Sequence, residues 1–72
     1  MQVSEKSSLV GKSLAELPIR KELNIIIVSI YKKDGKIIFN PISSTVIESK
    51  DKLFALGEKG SLQKLLTLSS GL

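Results

Sequence analysis

Apolar residues along this chain fall in short blocks punctuated by Gly, Pro, Asn and Asp, and the blocks differ in period. The densest is NIIIVSI, Asn24 to Ile30, which predicts a strand over Ile25 to Tyr31. Strict alternation puts Ile25, Ile27 and Ser29 on one side and Ile26, Val28 and Ile30 on the other. A strand with one wet face alternates apolar with polar, so this one needs cover on both sides. A second strand, Lys36 to Asn40, follows KKDG, and Asp-Gly between apolar runs predicts a hairpin. Asn40-Pro41 ends it, because proline cannot donate to a ladder. Lys52 to Gly57 predicts a further strand, apolar on both faces through Leu53, Phe54, Ala55 and Leu56.

Around this centre the period lengthens. Gln2 to Glu5 predicts a short first strand, and Gly11 a sharp turn. Ser13 and Glu16 have the spacing of a capping box, so a helical turn is expected over Ser13 to Leu17. Pro18 interrupts it and opens a second turn reaching Leu23, with Leu14, Leu17, Ile19 and Leu23 facing inward. Asn24 is the expected left-handed cap. Val46 and Ile47 centre a polar loop that holds a brief strand or turn, and Glu58 to Gly60 make another turn. Ser61 caps a last helix whose Leu62, Leu65 and Leu66 share a face, and SSGL is a frayed end. The fold class is therefore α+β: a small antiparallel-type sheet, βαβββα-like, with two helical segments on one face. A second copy is expected to cover the other face, with Ile26, Val28 and Ile30 in the dimer interface.

Size sharpens that expectation. A single domain of 72 residues buries only a modest share of its surface. It contains no Cys and no His, which removes disulfides, thiolate or imidazole metal sites, and the usual general base and nucleophile. The remaining staple is another protein surface. No catalytic constellation is visible, so no enzyme activity is expected. The apolar runs are too short to span a bilayer and no export signal is evident, which points to the cytoplasm.

The net charge of +4 comes from eleven Lys and Arg against seven Asp and Glu, scattered with no run longer than two. Nucleic-acid modules cluster such charge and interleave aromatics, and here only Tyr31, Phe39 and Phe54 are aromatic. Nucleic acid is not expected as a partner. Arg20 and Lys21 open a helical turn, where backbone N–H groups also favour anions. The plainer reading is a solvated basic pair beside Glu22. GEKGS, from Gly57 to Ser61, lacks the spacing of a phosphate loop.

Val10-Gly11-Lys12-Ser13-Leu14, Ile19-Arg20, the KKDGKIIFNP hairpin and Asp51-Lys52-Leu53 before Leu56-Gly57 together resemble the TrkA C-terminal domain, or RCK C-terminal subdomain. The resemblance covers nearly the whole chain. It implies a dimeric cytoplasmic regulator of a potassium channel, transporter or cation–proton antiporter, whose membrane subunit is its partner. It further implies an upstream Rossmann-type nucleotide-binding domain outside these 72 residues. In some members the cleft between subunits binds cyclic di-AMP, so that ligand or another small anion is expected here. Carried over, the site consists of Leu14, Ala15, Ile19, Arg20 and Pro41, with phosphates near the turn that begins at Pro18. Pro18 stands where binding members often have Asp, and Ile26 where they have Asn. Asn24 replaces a usual Gly with the same backbone role, whereas Lys50 replaces a usual Gly and implies a different turn. A structural dimerisation module without a ligand is the alternative, and a basic nucleic-acid-binding domain a more distant one.

Overall fold

In the computed structural model, which describes residues 1–17 and 19–71, the hairpin and the later strand form one antiparallel sheet. Its strands are β1 (Ile26–Tyr31), β2 (Ile37–Phe39) and β3 (Lys52–Leu56), in spatial order β2-β1-β3. The most apolar strand is thus the central one. A 3-10 turn, Leu14–Glu16, precedes the sheet and helix α1, Lys59–Ser70, follows it. Leu14 and Leu65 both join the core that covers the inner face of the sheet, with Ile27, Ile30 and Leu53 beneath them. Each such side chain contributes about 1.5–3 kcal/mol when fully buried.

Strict alternation fails in β1. Ile27 pairs with Ala55 and Ser29 with Phe54, leaving Val28 as the extra residue of a bulge. The bulge changes the phase, so Ile27 and Ile30 both face the core. Ile30 is fully buried inside its own chain, Val28 is half-buried, and Ile26 remains exposed. The common face expected for Ile26, Val28 and Ile30 therefore does not exist. An apolar outer face does. Ile26, Tyr31, Ile37, Phe39, Phe54 and Leu56 all remain open, from 40 % exposure at Tyr31 to 76 % at Phe39. The register couples Ile26 to Leu56 and Tyr31 to Ile37, and the Tyr31 and Phe54 rings lie 4.7 Å apart.

Other expectations need local correction. Of the first strand only Gln2 pairs, in an isolated bridge to Lys52. Ile19 to Glu22 form turns, not helix, and Pro18 lies outside the described residues. Helix α1 begins at Lys59 with Glu58 as its N-cap, so Ser61 sits inside the first turn. Its buried side runs through Leu62, Leu65, Leu68 and Ser69, while Leu66 is exposed. The helix end is tied rather than frayed. The Ser7 hydroxyl donates to the Leu68 carbonyl at 2.6 Å, and the Ser4 N–H to the Ser69 carbonyl at 2.8 Å. Gly71 closes α1 at φ 81°, against Lys6, where a Cβ would come within 2.9 Å of that residue. Leu72 lies outside the described residues.

One charged group is deeply buried. The Asp51 carboxylate, 1 % exposed, accepts from the Lys32 ammonium at 2.6 Å and the Glu48 N–H at 2.8 Å. Lys32 also meets Glu48 at 2.8 Å. Burial alone would lower the Lys32 pKa, but its hydrogen bonds to Asp51 and Glu48 outweigh this and raise it. The same hydrogen bond holds the Glu48 carboxyl below its ordinary value.

Candidate ligand site

The 3-10 turn is set by the residue that precedes it, its N-cap Ser13. The Glu16 carboxylate accepts from the Ser13 N–H at 3.2 Å and the Ser13 hydroxyl at 3.0 Å, which satisfies a donor that the turn leaves open. The Leu14 N–H donates to the Thr45 carbonyl at 3.0 Å and the Ala15 N–H to the Ser43 carbonyl at 2.9 Å. A bridge between Ser13 and Val46 continues the contact. The loop after β2 is thus pinned to the turn before β1, although the two are distant in sequence.

A further closure orients the basic pair. The Ile25 N–H donates to the Ile19 carbonyl at 2.9 Å, and Asn24 takes φ 53°, the expected left-handed cap. Ile19 is drawn into the core by this turn, while Arg20 and Lys21 stay exposed.

Between these segments lies a cavity of about 220 Å³ lined by Leu14, Ala15, Leu17, Arg20, Lys21 and Ser43. Three of the five site residues carried over from the resemblance meet there: Leu14, Ala15 and Arg20. The other two do not line it. Ile19 is 1 % exposed and belongs to the core, and Pro41 is buried at the start of the loop after β2. Leu17, Lys21 and Ser43 were missed. Lys21 adjoins Arg20 and was visible as half of a basic pair, but Ser43 reaches the cavity only through its long-range bond to Ala15.

The lining divides chemically. Leu14, Ala15 and Leu17 offer an apolar surface suited to a base or other flat group, and Arg20 and Lys21 offer two cations beside it. The guanidinium can grip a phosphate with paired N–H groups. Pockets for compounds of drug size usually measure roughly 300–1,000 Å³, so one chain supplies less than a full pocket. Among the described residues no cluster of three or more His, Cys, Asp or Glu is placed to hold a metal. No described helix is long and apolar enough to cross a membrane.

Comparison with known proteins gives a consistent answer. The K(+)/H(+) antiporter subunit KhtT of Bacillus subtilis is 29 % identical over 65 residues, covering 90 % of this chain and 39 % of KhtT. The ammonium/H(+) antiporter subunit AmhM of Alkalihalophilus pseudofirmus is 30 % identical over 64 residues, covering 89 % of this chain and 38 % of AmhM. The chain thus spans about two fifths of these relatives. Among solved structures, the RCK_C domain dimer of S. agalactiae BusR in complex with c-di-AMP superposes with a TM-score of 0.86 at 32 % identity. That match covers 99 % of this chain and 86 % of the BusR domain chain. The RCK C domain of the potassium transport protein KtrA, also in complex with c-di-AMP, gives 0.79 at 27 % identity, covering 93 % and 75 %. BusR has also been solved with its busAB-promoter DNA, where this chain matches 34 % of the BusR chain. That complex is at odds with the expectation of no nucleic-acid partner for this chain, because a protein that it resembles is found with DNA. The family of TrkA-C domains matches residues 1–69, and the chain belongs to it.

Proposed function

We propose that this chain is a cytoplasmic, dimerising sensor domain that binds cyclic di-AMP and regulates a potassium or related cation transport protein. The observation that carries the reading is the divided cavity, with apolar Leu14, Ala15 and Leu17 beside Arg20 and Lys21. Two such cavities facing one another across a two-fold axis reach the size of a full ligand site and match a ligand with two bases and two phosphates. The BusR and KtrA domains, both solved with c-di-AMP, support the ligand, and the antiporter subunits support the transport context. Regulation without catalysis is the corresponding role.

The interface of the dimer is proposed to continue from the cavity onto the outer sheet face. Phe39 on that face and Ser43 in the cavity are separated by only three residues, one of which, Ile42, is 69 % exposed. Burying this apolar surface is the driving force for association. Ile26 belongs to it, whereas Ile30 is already spent on the core.

Thermal unfolding tests the ligand. Cyclic di-AMP at a hundred times its dissociation constant should stabilise the dimer by about 2.7 kcal/mol, and the linear dinucleotide less. An unchanged midpoint at millimolar ligand overturns the ligand assignment and leaves a structural module. A second reading has specific support, because BusR combines such a domain with promoter binding. In it the same sensor controls transcription instead of transport, and the full reading frame distinguishes the two.

A further inference from the structure

A second cavity, about 290 Å³, shares no residue with the first and lies where the hairpin meets the N-terminal segment. Gln2, Tyr31, Lys32, Lys33, Lys50 and Lys52 line it, so four of the eleven Lys and Arg converge on one concavity. Lys32 is paired with Glu48 and Asp51, and Lys33 interacts with the Glu48 carboxylate from beyond contact distance. Lys33, Lys50 and Lys52 have no ion-pair partner among the described residues. Like charges gathered in this way repel one another until an anion sits between them.

The backbone adds an independent observation. Lys50 stands at φ 68° in the turn from Glu48 to Asp51, which the Asp51 N–H closes to the Glu48 carbonyl at 3.3 Å. The Lys50 N–H is fixed to the Val3 carbonyl at 2.7 Å. Glycine takes this left-handed conformation freely and lysine does not. The turn therefore has the glycine-type backbone, contrary to the different turn expected from the substitution. What lysine adds is an ammonium at the cavity, and strain held at such a place is typical of a working position. The neighbouring parts are joined by backbone pairing: Lys52 pairs with Tyr31 across the sheet and with Gln2 in the bridge.

We propose that this cavity binds a small multiply charged phosphate anion of the pyrophosphate type. Three ammonium groups without a contact ion pair call for a ligand with several negative charges, and the Gln2 amide and Tyr31 hydroxyl are the neutral hydrogen-bonding groups of the lining. The site shares no residue with the cyclic dinucleotide cavity, although its Tyr31 also borders the outer sheet face.

Titration of the 72-residue chain with inorganic pyrophosphate, followed by calorimetry at low and at physiological salt, tests the proposal. Saturable binding that weakens with salt is expected. Lys50→Gly should weaken it roughly five-fold or more while raising the thermal midpoint by about 4 °C, because strain is relieved as charge is lost. Lys33→Gln should weaken it with the midpoint unchanged, and Arg20→Ala should leave it intact. Absence of saturable binding at millimolar pyrophosphate overturns the site, as does wild-type affinity in Lys50→Gly. A short DNA duplex that binds more tightly than pyrophosphate and is lost in Lys50→Gly replaces the small-anion reading with a nucleic-acid surface.

Discussion

The Lys32 ammonium lies 2.6 Å from Oδ2 of Asp51, a carboxylate that is 1 % exposed. The pair closes the sheet against the loop before β3, since the same oxygen receives the Glu48 N–H. Breaking a buried pair from one side leaves a charge without compensation, and this is what makes it destabilising. Lys32→Met should therefore destabilise the fold by about 3 kcal/mol, measured by urea denaturation. Asp51→Asn keeps an acceptor for the Glu48 N–H and should be milder. Equal stability of Lys32→Met and the parent chain would contradict this account.

The same cluster sets a pH dependence. Glu48 is lowered from its ordinary value of 4.5, so its contribution is present above that pH and is lost as pH falls through the lowered folded value. Lys32 is raised from 10.5, so its contribution is complete below that pH and is lost as pH rises through the raised value. The contribution of this cluster should be flat between these limits and decline outside them. Glu48→Gln should remove part of the acid decline, and denaturant midpoints against pH read it directly.

Association should follow the outer sheet face. Light scattering should show a dimer at micromolar concentration. Ile26→Lys and Phe39→Lys, both at exposed positions, should yield folded monomers. Ile27→Lys should instead unfold the chain, because its site is buried in the core. A monomer with no concentration dependence would contradict the proposed interface.

These contrasts show which parts of the structure are local. The hairpin, the three sheet strands, the Ser13–Glu16 turn and Asn24 were legible because each is written in neighbouring residues. The bulge at Val28 was not, since five aliphatic residues in NIIIVSI give no sign of where the phase changes. The helix end was misread because the Ser69 carbonyl accepts from the Ser4 N–H and Gly71 lies close against Lys6, both far away in sequence. The candidate site was half legible for the same reason. Arg20 and Leu14 belong to local patterns, whereas Ser43 arrives through the loop after β2 and Ile19 is withdrawn by its own turn.

The central claim is that two copies complete one ligand site with Arg20 at its charged end. Calorimetry with cyclic di-AMP tests it most directly. The account predicts one ligand per two chains, and an affinity lowered roughly ten-fold or more in Arg20→Ala, as expected for the loss of about 1.5–3 kcal/mol in a charge-assisted contact. A stoichiometry of one ligand per chain, wild-type affinity in Arg20→Ala, or no heat at millimolar ligand would contradict it.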